Sequence, residues 1–320
     1  MTEIYRSSDG IDIDDEPTVV TIGNFDGMHL GHQLLFKEAV EVADRRGAMA
    51  VGLTFEPHPT VFFRPQEAPA RLTPMPYKAE EMARQGVDAV VVWTFDEGLS
   101  SLSPRAFVEK ILAETLGAIH VVVGSDFRFG ARRAGDVESL KALGEEHGFS
   151  TTVADVVKYR GDKVSSTRVR EALDAGDMKL AKAMLGRPMR LFGEVVKGEE
   201  RGRALGFPTA NLKTVDMALP LDGVYATSLA REGDRHWQSI TNIGHRPTFD
   251  GEGRTVETFV LDEGVDKDLN LYGEEMELDF YQRIRGEEEF ESPEALIAQI
   301  EKDVEEARAI LKREGIRGIR

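Results

Sequence analysis

Residues 18 to 32 read TVVTIGNFDGMHLGH, from Thr18 to His32. The run Thr18 to Ile22 is rich in β-formers and predicts a strand. Gly23-Asn24-Phe25-Asp26-Gly27 follows it directly as a turn. His29-Leu30-Gly31-His32 then opens a helix whose apolar face carries Leu34, Leu35, Ala39 and Val42. Residues three apart share a helix face, so both imidazoles leave the positive end of that helix on one side. Free backbone N–H groups and ring donors together suit phosphate.

The same strand-to-helix rhythm continues to about residue 187. Strands are expected at Thr18 to Ile22, Met49 to Phe55, Asp88 to Trp93, Ile119 to Val123 and Thr151 to Val157. Helices are expected at about Gly31 to Arg46, Tyr77 to Gln85, Pro104 to Leu116, Asp136 to His147 and Arg168 to Ala175. Alternation of this kind implies an α/β domain with a mostly parallel sheet covered on both faces, where ligands gather at the strand exits.

Leu185-Gly186-Arg187-Pro188 marks a change of texture and the expected boundary, dividing residues 1–187 from 188–320. Beyond it, short β-like runs (Met189 to Val196, Gly223 to Ala230, Trp237 to Ile243, Thr255 to Leu261, Glu275 to Ile284) predict an antiparallel β-barrel or sandwich. A C-terminal helix starts at Ser292-Pro293, repeats Leu296, Ile300, Val304, Ala307 and Leu311 at helical spacing, and stops at Gly315. It is read as a lid packed on the barrel with a structural role.

A length of 320 residues favours two domains. The chain has no cysteine, which removes disulfides, thiolate nucleophiles and zinc–sulfur sites and fits a reducing compartment. Its net charge of −17 argues against a general affinity for nucleic acid or anionic membrane, so a polyanionic ligand must be met by a local cluster of donors. With no apolar run long enough to cross a bilayer and no signal-peptide pattern at the N-terminus, a cytoplasmic location is expected. Oligomeric state is left open, a homo-oligomer being admissible.

Each candidate motif has a plainer alternative. The His pair could belong to a zinc site, with His58 as the nearby candidate in sequence, but two ligands are too few. The glycines could be a tight turn and nothing more. Val123 to Gly130, VGSDFRFG, followed by Arg132 and Arg133, could hold an anion attached to a flat ring, or be a solvated basic loop over two core phenylalanines. In Ser165-Ser166-Thr167-Arg168-Val169-Arg170 the hydroxyls read as an ordinary N-cap. Arg168 and Arg170, however, occupy a first turn where the helix dipole disfavours cations, and bound phosphate would remove that conflict. Gly198, Gly202 and Gly206 lie in a glycine-rich loop without Walker spacing, followed by Phe207-Pro208-Thr209-Ala210-Asn211. Thr209 and Asn211 are hard oxygen donors suited to Mg²⁺, and the alternative is a glycine-rich hairpin. In Thr255 to Leu261, alternation puts Glu257 on the face of Phe259 and Leu261, as a proton acceptor or as an edge-strand charge.

The blocks TIGNFDGMHLGH, TFEPHP at 54–59, VGSDFRFG, SSTRVR, GFPTAN, TNIGHRPTF at 241–249 and LYGEEMELDFYQRIRGE at 271–287 resemble the bacterial bifunctional riboflavin kinase/FMN adenylyltransferases across nearly the whole chain. The resemblance implies a Rossmann-like nucleotidyltransferase domain followed by a riboflavin kinase barrel. It implies phosphorylation of riboflavin to FMN by MgATP, and adenylylation of FMN by a second ATP to give FAD and pyrophosphate. Carried over to this sequence, His29 and His32 stabilise phosphate charge, and Gly23, Asn24, Phe25, Asp26, Ser166, Thr167 and Arg168 surround the nucleotide. Asp126, Phe127 and Arg128 meet the flavin. In the kinase, Gly198, Gly202, Gly206, Thr209 and Asn211 hold ATP, Thr209 and Asn211 hold Mg²⁺, and Glu257 is the base. Many relatives have His where Phe259 stands, which puts an imidazole role there in doubt. Two rival readings are a kinase whose adenylyltransferase half has changed, and a flavin sensor without turnover.

Overall fold

Thr18–Ile22 is buried along its whole length, as a strand covered on both faces must be. The structure is a computed structural model. It describes residues 2–7, 10–11, 13, 16–198, 207–214, 216–231, 236–248, 251–262 and 271–317, and the account below concerns those residues. Contacts divide the chain into two compact units, Met1–Ser166 and Thr167–Arg320.

The first unit holds strands β1 (Glu3–Arg6), β2 (Thr18–Ile22), β3 (Met49–Glu56), β4 (Ala89–Thr94), β5 (Ala118–Gly124) and β6 (Ser150–Ala154) in a parallel sheet of order β1-β4-β3-β2-β5-β6. Alternate residues of β2 serve opposite cores. Val20 and Ile22 join Leu112, Leu116 and Leu140 on one face, while Val19 joins Phe36, Ala39 and Val42 on the other. The last three lie on α1 (Leu30–Arg46), which ends at Gly47 in the left-handed region. Further helices are α2 (Pro59–Phe63), α3 (Tyr77–Ala83), α4 (Glu97–Ser100), α5 (Pro104–Phe107) and α6 (Val137–His147).

The expected elements of this unit all form, with three differences. The strand β1 is an addition. It is a short edge strand of mostly exposed residues, so no apolar pattern announces it. The helix expected over Pro104 to Leu116 passes after Phe107 into wider turns over Val108–Thr115, where Leu116 N–H donates to Ile111 O five residues back. This widening keeps Val108, Ile111, Leu112 and Leu116 all buried. The strand expected to reach Val157 ends at Ala154, and the chain then forms a small hairpin of β7 (Lys158–Tyr159) and β8 (Asp162–Lys163).

The second unit contains α7 (Ser166–Asp174) from Thr167 onward, α8 (Met178–Leu185), a closed antiparallel barrel and α9 (Pro293–Arg313). The contact division lies ahead of the Leu185 to Pro188 punctuation because α8 packs on strands β9 (Met189–Val196) and β14 (Glu275–Arg285). The barrel order is β10-β13-β12-β11-β14-β9, with β10 (Ala210–Lys213), β11 (Gly223–Ala230), β12 (Trp237–Thr248) and β13 (Gly251–Val260). Of these, β10 was not expected. It has only four residues, yet it closes the barrel by pairing with both β9 and β13.

Leu191, Tyr225, Leu229, Leu278 and Phe280 are fully buried in the barrel. A chain of hydroxyls runs across its strands, from Ser239 to Thr227 at 2.8 Å, Thr227 to Thr241 at 2.7 Å and Thr241 to Thr258 at 2.9 Å. The opposite strand face meets α9, whose Ala307, Ile310 and Leu311 pack with Ala226, Ile240 and Leu261. Ser292 caps this helix, as expected, by accepting from Ala295 N–H. One polar residue interrupts its buried face: Asp303 takes Arg285 of β14 in a two-pronged ion pair, which satisfies both charges.

Candidate active sites

The turn after β2 is held in an unusual backbone shape. Phe25, Gly27 and Met28 have φ of 49°, 84° and 44°. For a non-glycine residue such a conformation costs on the order of 1–3 kcal/mol and persists only where surrounding structure over-determines it. Here burial does so, since Phe25 and Met28 are 0% and 1% exposed. At Gly27 the positive φ combines with crowding, because a Cβ would come within 2.7 Å of Leu72. Asp26 locks the turn in place. Its buried carboxylate accepts from the backbone N–H of Leu72 and of Thr73, each at 2.9 Å, and Ser166 Oγ donates to its carbonyl at 2.8 Å. Asp26 therefore shapes the site rather than offering a free carboxylate. Asp26→Ala should lower the stability of this unit by about 2 kcal/mol, since two donors lose a charged acceptor. Urea unfolding checks this, and an unchanged midpoint would contradict it.

The turn delivers His29 as the N-cap of α1, with Nδ1 accepting from His32 N–H at 3.3 Å. That bond puts the neutral ring's proton on Nε2, which remains a donor. The two imidazoles stack with centroids 3.6 Å apart and planes 18° from parallel, and Phe25 presents its edge to His32 at 5.3 Å. Burial lowers His29 to about 4. It holds His32 well below the usual histidine range, helped by the adjacent His29 and by the Lys78 and Lys163 charges. The resting pair is therefore neutral near pH 7. His32 Nδ1 is buried without a hydrogen-bond partner among the described residues, a cost that a bound acceptor or donor would remove.

The sign of the linkage follows from these shifts. The unfolded chain takes up the His29 proton near pH 6.5 and the folded state only near 4, with His32 shifted in the same direction, so stability is complete above 6.5 and is lost as pH falls below it. Unfolding at pH 7, 6 and 5 should show this loss, and His29→Gln should flatten it. A wild-type profile that is flat or rises toward pH 5 would contradict the assignment.

The neighbouring strand exits flank this turn. Lys78 of α3 is buried beside the end of β3, its ammonium donating to Phe55 O at 3.3 Å and lying 3.9 Å from Glu56. Desolvation lowers its pKa. Phe62 and Phe63 of α2 are exposed and form edge-to-face pairs with each other and with Phe95, at 5.2, 5.5 and 5.7 Å. The sequence reading missed this aromatic platform, for which the only signal was the adjacent pair after TFEPHP.

On the far side of β2, the loop after β5 is largely self-satisfied. Asp126 pairs with Lys163, which lowers its pKa. Phe127 stacks on Phe129 at 5.5 Å, and Arg128 donates to Phe127 O at 2.9 Å. Arg132 and Arg133 are exposed at φ of 55° and 57°. Gly23 and Asn24 lie at the β2 exit, Gly23 N–H donating to Leu53 O and Asn24 O accepting from Thr54. Thr167 and Arg168 follow Ser166 in the first turn of α7.

In the barrel, register places Asn211 opposite Glu257 and Glu257 opposite Asn242. Cross-strand partners share a face, so the three polar groups form one row over β10, β13 and β12, and Thr209 lies just before β10. Glu257 is half-buried, as is Phe259, which packs against the α9 core and meets Phe207 edge-on at 5.5 Å. The ring at 259 is thereby accounted for by packing. A Cβ on Gly198 would overlap the Asn211 carboxamide, so the glycine makes room for it. Gly202 and Gly206 lie outside the described residues. Asn242 is a second residue that sequence reading missed, because only strand register brings it to Glu257. No group of three His, Cys, Asp or Glu is placed to hold a metal among the described residues.

Two family profiles divide the chain in the same way as these two constellations. FAD synthetase matches residues 11–168 and riboflavin kinase matches residues 185–311. A bifunctional riboflavin kinase/FMN adenylyltransferase of Pseudomonas fluorescens is 42% identical over 91% of this chain and 92% of its own length. This chain belongs to the bifunctional riboflavin kinase/FMN adenylyltransferase family. Members from Escherichia coli K12 and Listeria monocytogenes are each 39% identical, covering 90% and 91% of this chain and 91% of their own lengths. A crystal structure described as a macrolide-efflux protein from Streptococcus pneumoniae is 29% identical, covers 96% of this chain and 98% of its own, and superposes with a TM-score of 0.84. No helix among the described residues is long and apolar enough to cross a membrane.

Proposed function

We propose that residues 188–320 convert riboflavin to FMN and residues 1–187 convert FMN to FAD, each with its own ATP. The observation that carries this division is that His29 and His32 lie in one compact unit while Thr209, Asn211 and Glu257 lie in the other.

In the kinase, Glu257 accepts the proton of the terminal ribityl hydroxyl as its oxygen attacks the γ-phosphorus and the bond to ADP breaks. Thr209 and Asn211 offer hard oxygens, a donor set that fits Mg²⁺, and the Asn211 carboxamide lies against Gly198. When bound there, the ion would neutralise phosphate charge. Gly198, Gly202 and Gly206 are the glycines assigned to the nucleotide in this reading.

In the adenylyltransferase, a phosphate oxygen of FMN attacks the α-phosphorus and pyrophosphate leaves. His29 and His32 present N–H donors to the phosphates at the α1 N-terminus, where the helix dipole adds to them. Gly23, Asn24, Phe25 and Asp26 form the turn that aims these rings, and the family resemblance assigns Ser166, Thr167 and Arg168 to the nucleotide. Phe62 and Phe63 offer a flat ring a stacking surface, and Asp126, Phe127 and Arg128 are the residues the family resemblance assigns to the flavin. Small molecules are the partners in this reading. A net charge of −17 and the absence of cysteine support a cytoplasmic enzyme without nucleic-acid or membrane binding.

Histidine NMR with a non-hydrolysable ATP analogue tests the first site. Phosphate beside the pair should raise the His29 pKa from about 4. Unshifted His29 and His32 resonances at saturating analogue would refute the placement.

A further inference from the structure

We propose that Glu287, together with Asn242, receives the ribityl hydroxyls of riboflavin and sets the kinase's selectivity for a polyol chain; this rests on the reading of Glu257 as the base. The row Asn211, Glu257, Asn242 has two ends. At the Asn211 end stands Gly198, the metal and nucleotide side. The alcohol must then approach Glu257 from the β12 side, where Asn242 is its direct neighbour.

Two residues further along β12 is Gly244, on the same face as Asn242. A Cβ there would overlap Glu287 Oε1 and lie 3.4 Å from Asn242 Nδ2. The Glu287 carboxylate thus rests over the Gly244 backbone, where a Cβ would push it aside, and the Asn242 amide borders the same space. Glu287 itself stands beyond the end of β14 and is exposed, so it reaches the face as a rim group open to a ligand rather than as part of the core.

The chemistry matches a sugar alcohol. A carboxylate accepts from hydroxyls in charge-assisted bonds, and a carboxamide both donates and accepts. Two residues along a strand cover about 7 Å, the reach of a short polyol. The negative charge of Glu287 also disfavours the triphosphate at this end, which keeps the two substrates in their own halves of the row. A site built to bind substrate hydroxyls discriminates strongly against an analogue that lacks them.

Steady-state kinase assays of the full chain test this. Glu287→Ala and Glu287→Gln should raise the KM for riboflavin about 10- to 100-fold, the loss of one to two charge-assisted hydrogen bonds, with the KM for ATP unchanged. Gly244→Ala should reproduce the effect by displacing the carboxylate, and should add little in a Glu287→Ala background. Lumiflavin, which lacks the ribityl hydroxyls, should compete with riboflavin better in Glu287→Ala than in wild type. Thermal unfolding and FAD synthesis from added FMN, measured on the same variants, establish that they are folded. An unchanged riboflavin KM in both Glu287 variants, or ATP and riboflavin KM rising together, would overturn the proposal. Glu257→Gln run in parallel separates it from the reading beneath it: normal turnover in that variant would remove the base, whatever Glu287 does.

Discussion

Glu257→Gln lowers the turnover number for FMN formation by about 10³-fold, the middle of the range for removing a general base. The amide keeps the shape of the side chain but cannot take the hydroxyl proton. Because Glu257 lies between Asn211 and Asn242 in register, the substitution leaves both neighbours in place. The KM for ATP should stay near its wild-type value, since the loss falls on the chemical step alone. FAD synthesis from added FMN should be unaffected. Separation of flavins by chromatography over a time course reads both activities at once. A loss of both in equal measure would mean that the two constellations do not work independently.

His32→Ala produces the mirror image, with FAD formation reduced about 10²- to 10³-fold, as for one preorganised donor removed from developing charge. The expected loss is large because the donor is fixed before substrate arrives. His32 is clamped between the stacked ring of His29 and the edge of Phe25, so no reorganisation is needed in the reaction. Burial also matters to the sign. Both rings rest neutral, so catalysis cannot depend on a standing positive charge, and the phosphates themselves draw the proton equilibrium upward when they bind. FMN formation from riboflavin should proceed at the wild-type rate in this variant, so FMN accumulates. Persistence of FAD synthesis would remove the histidine from the reaction.

The sequence made some of this visible for local reasons. The strand β2, its turn and α1 lie within one stretch of chain, so β-propensity, glycine placement and helical spacing were sufficient to place both imidazoles. Glu257 was legible because strand alternation fixes the face of a residue relative to Phe259 and Leu261. What stayed hidden depends on distant parts of the chain. Asp26 looked like a nucleotide contact, but its carboxylate is taken by the backbone of Leu72 and Thr73. Asn242 reaches Glu257 only through the register of β12 with β13. Phe62 and Phe63 are ordinary apolar residues in sequence, and only their exposure beside Phe95 marks them as a surface. Barrel closure by β10 was equally illegible, since four residues after a glycine-rich loop carry no periodic pattern. The fold depended on periodicity and the site depended on pairing, which explains the uneven result.

The most direct test mixes two proteins, each impaired in one of the two steps. Glu257→Gln and His32→Ala are each incubated alone and together with riboflavin, Mg²⁺ and ATP, and the flavins are separated. Two separate sites predict only traces of FAD from either variant alone and far more from the mixture, as FMN made by one protein is adenylylated by the other. A mixture that makes no more FAD than the variants alone, or either variant making FAD from riboflavin by itself as fast as the mixture, would contradict the account.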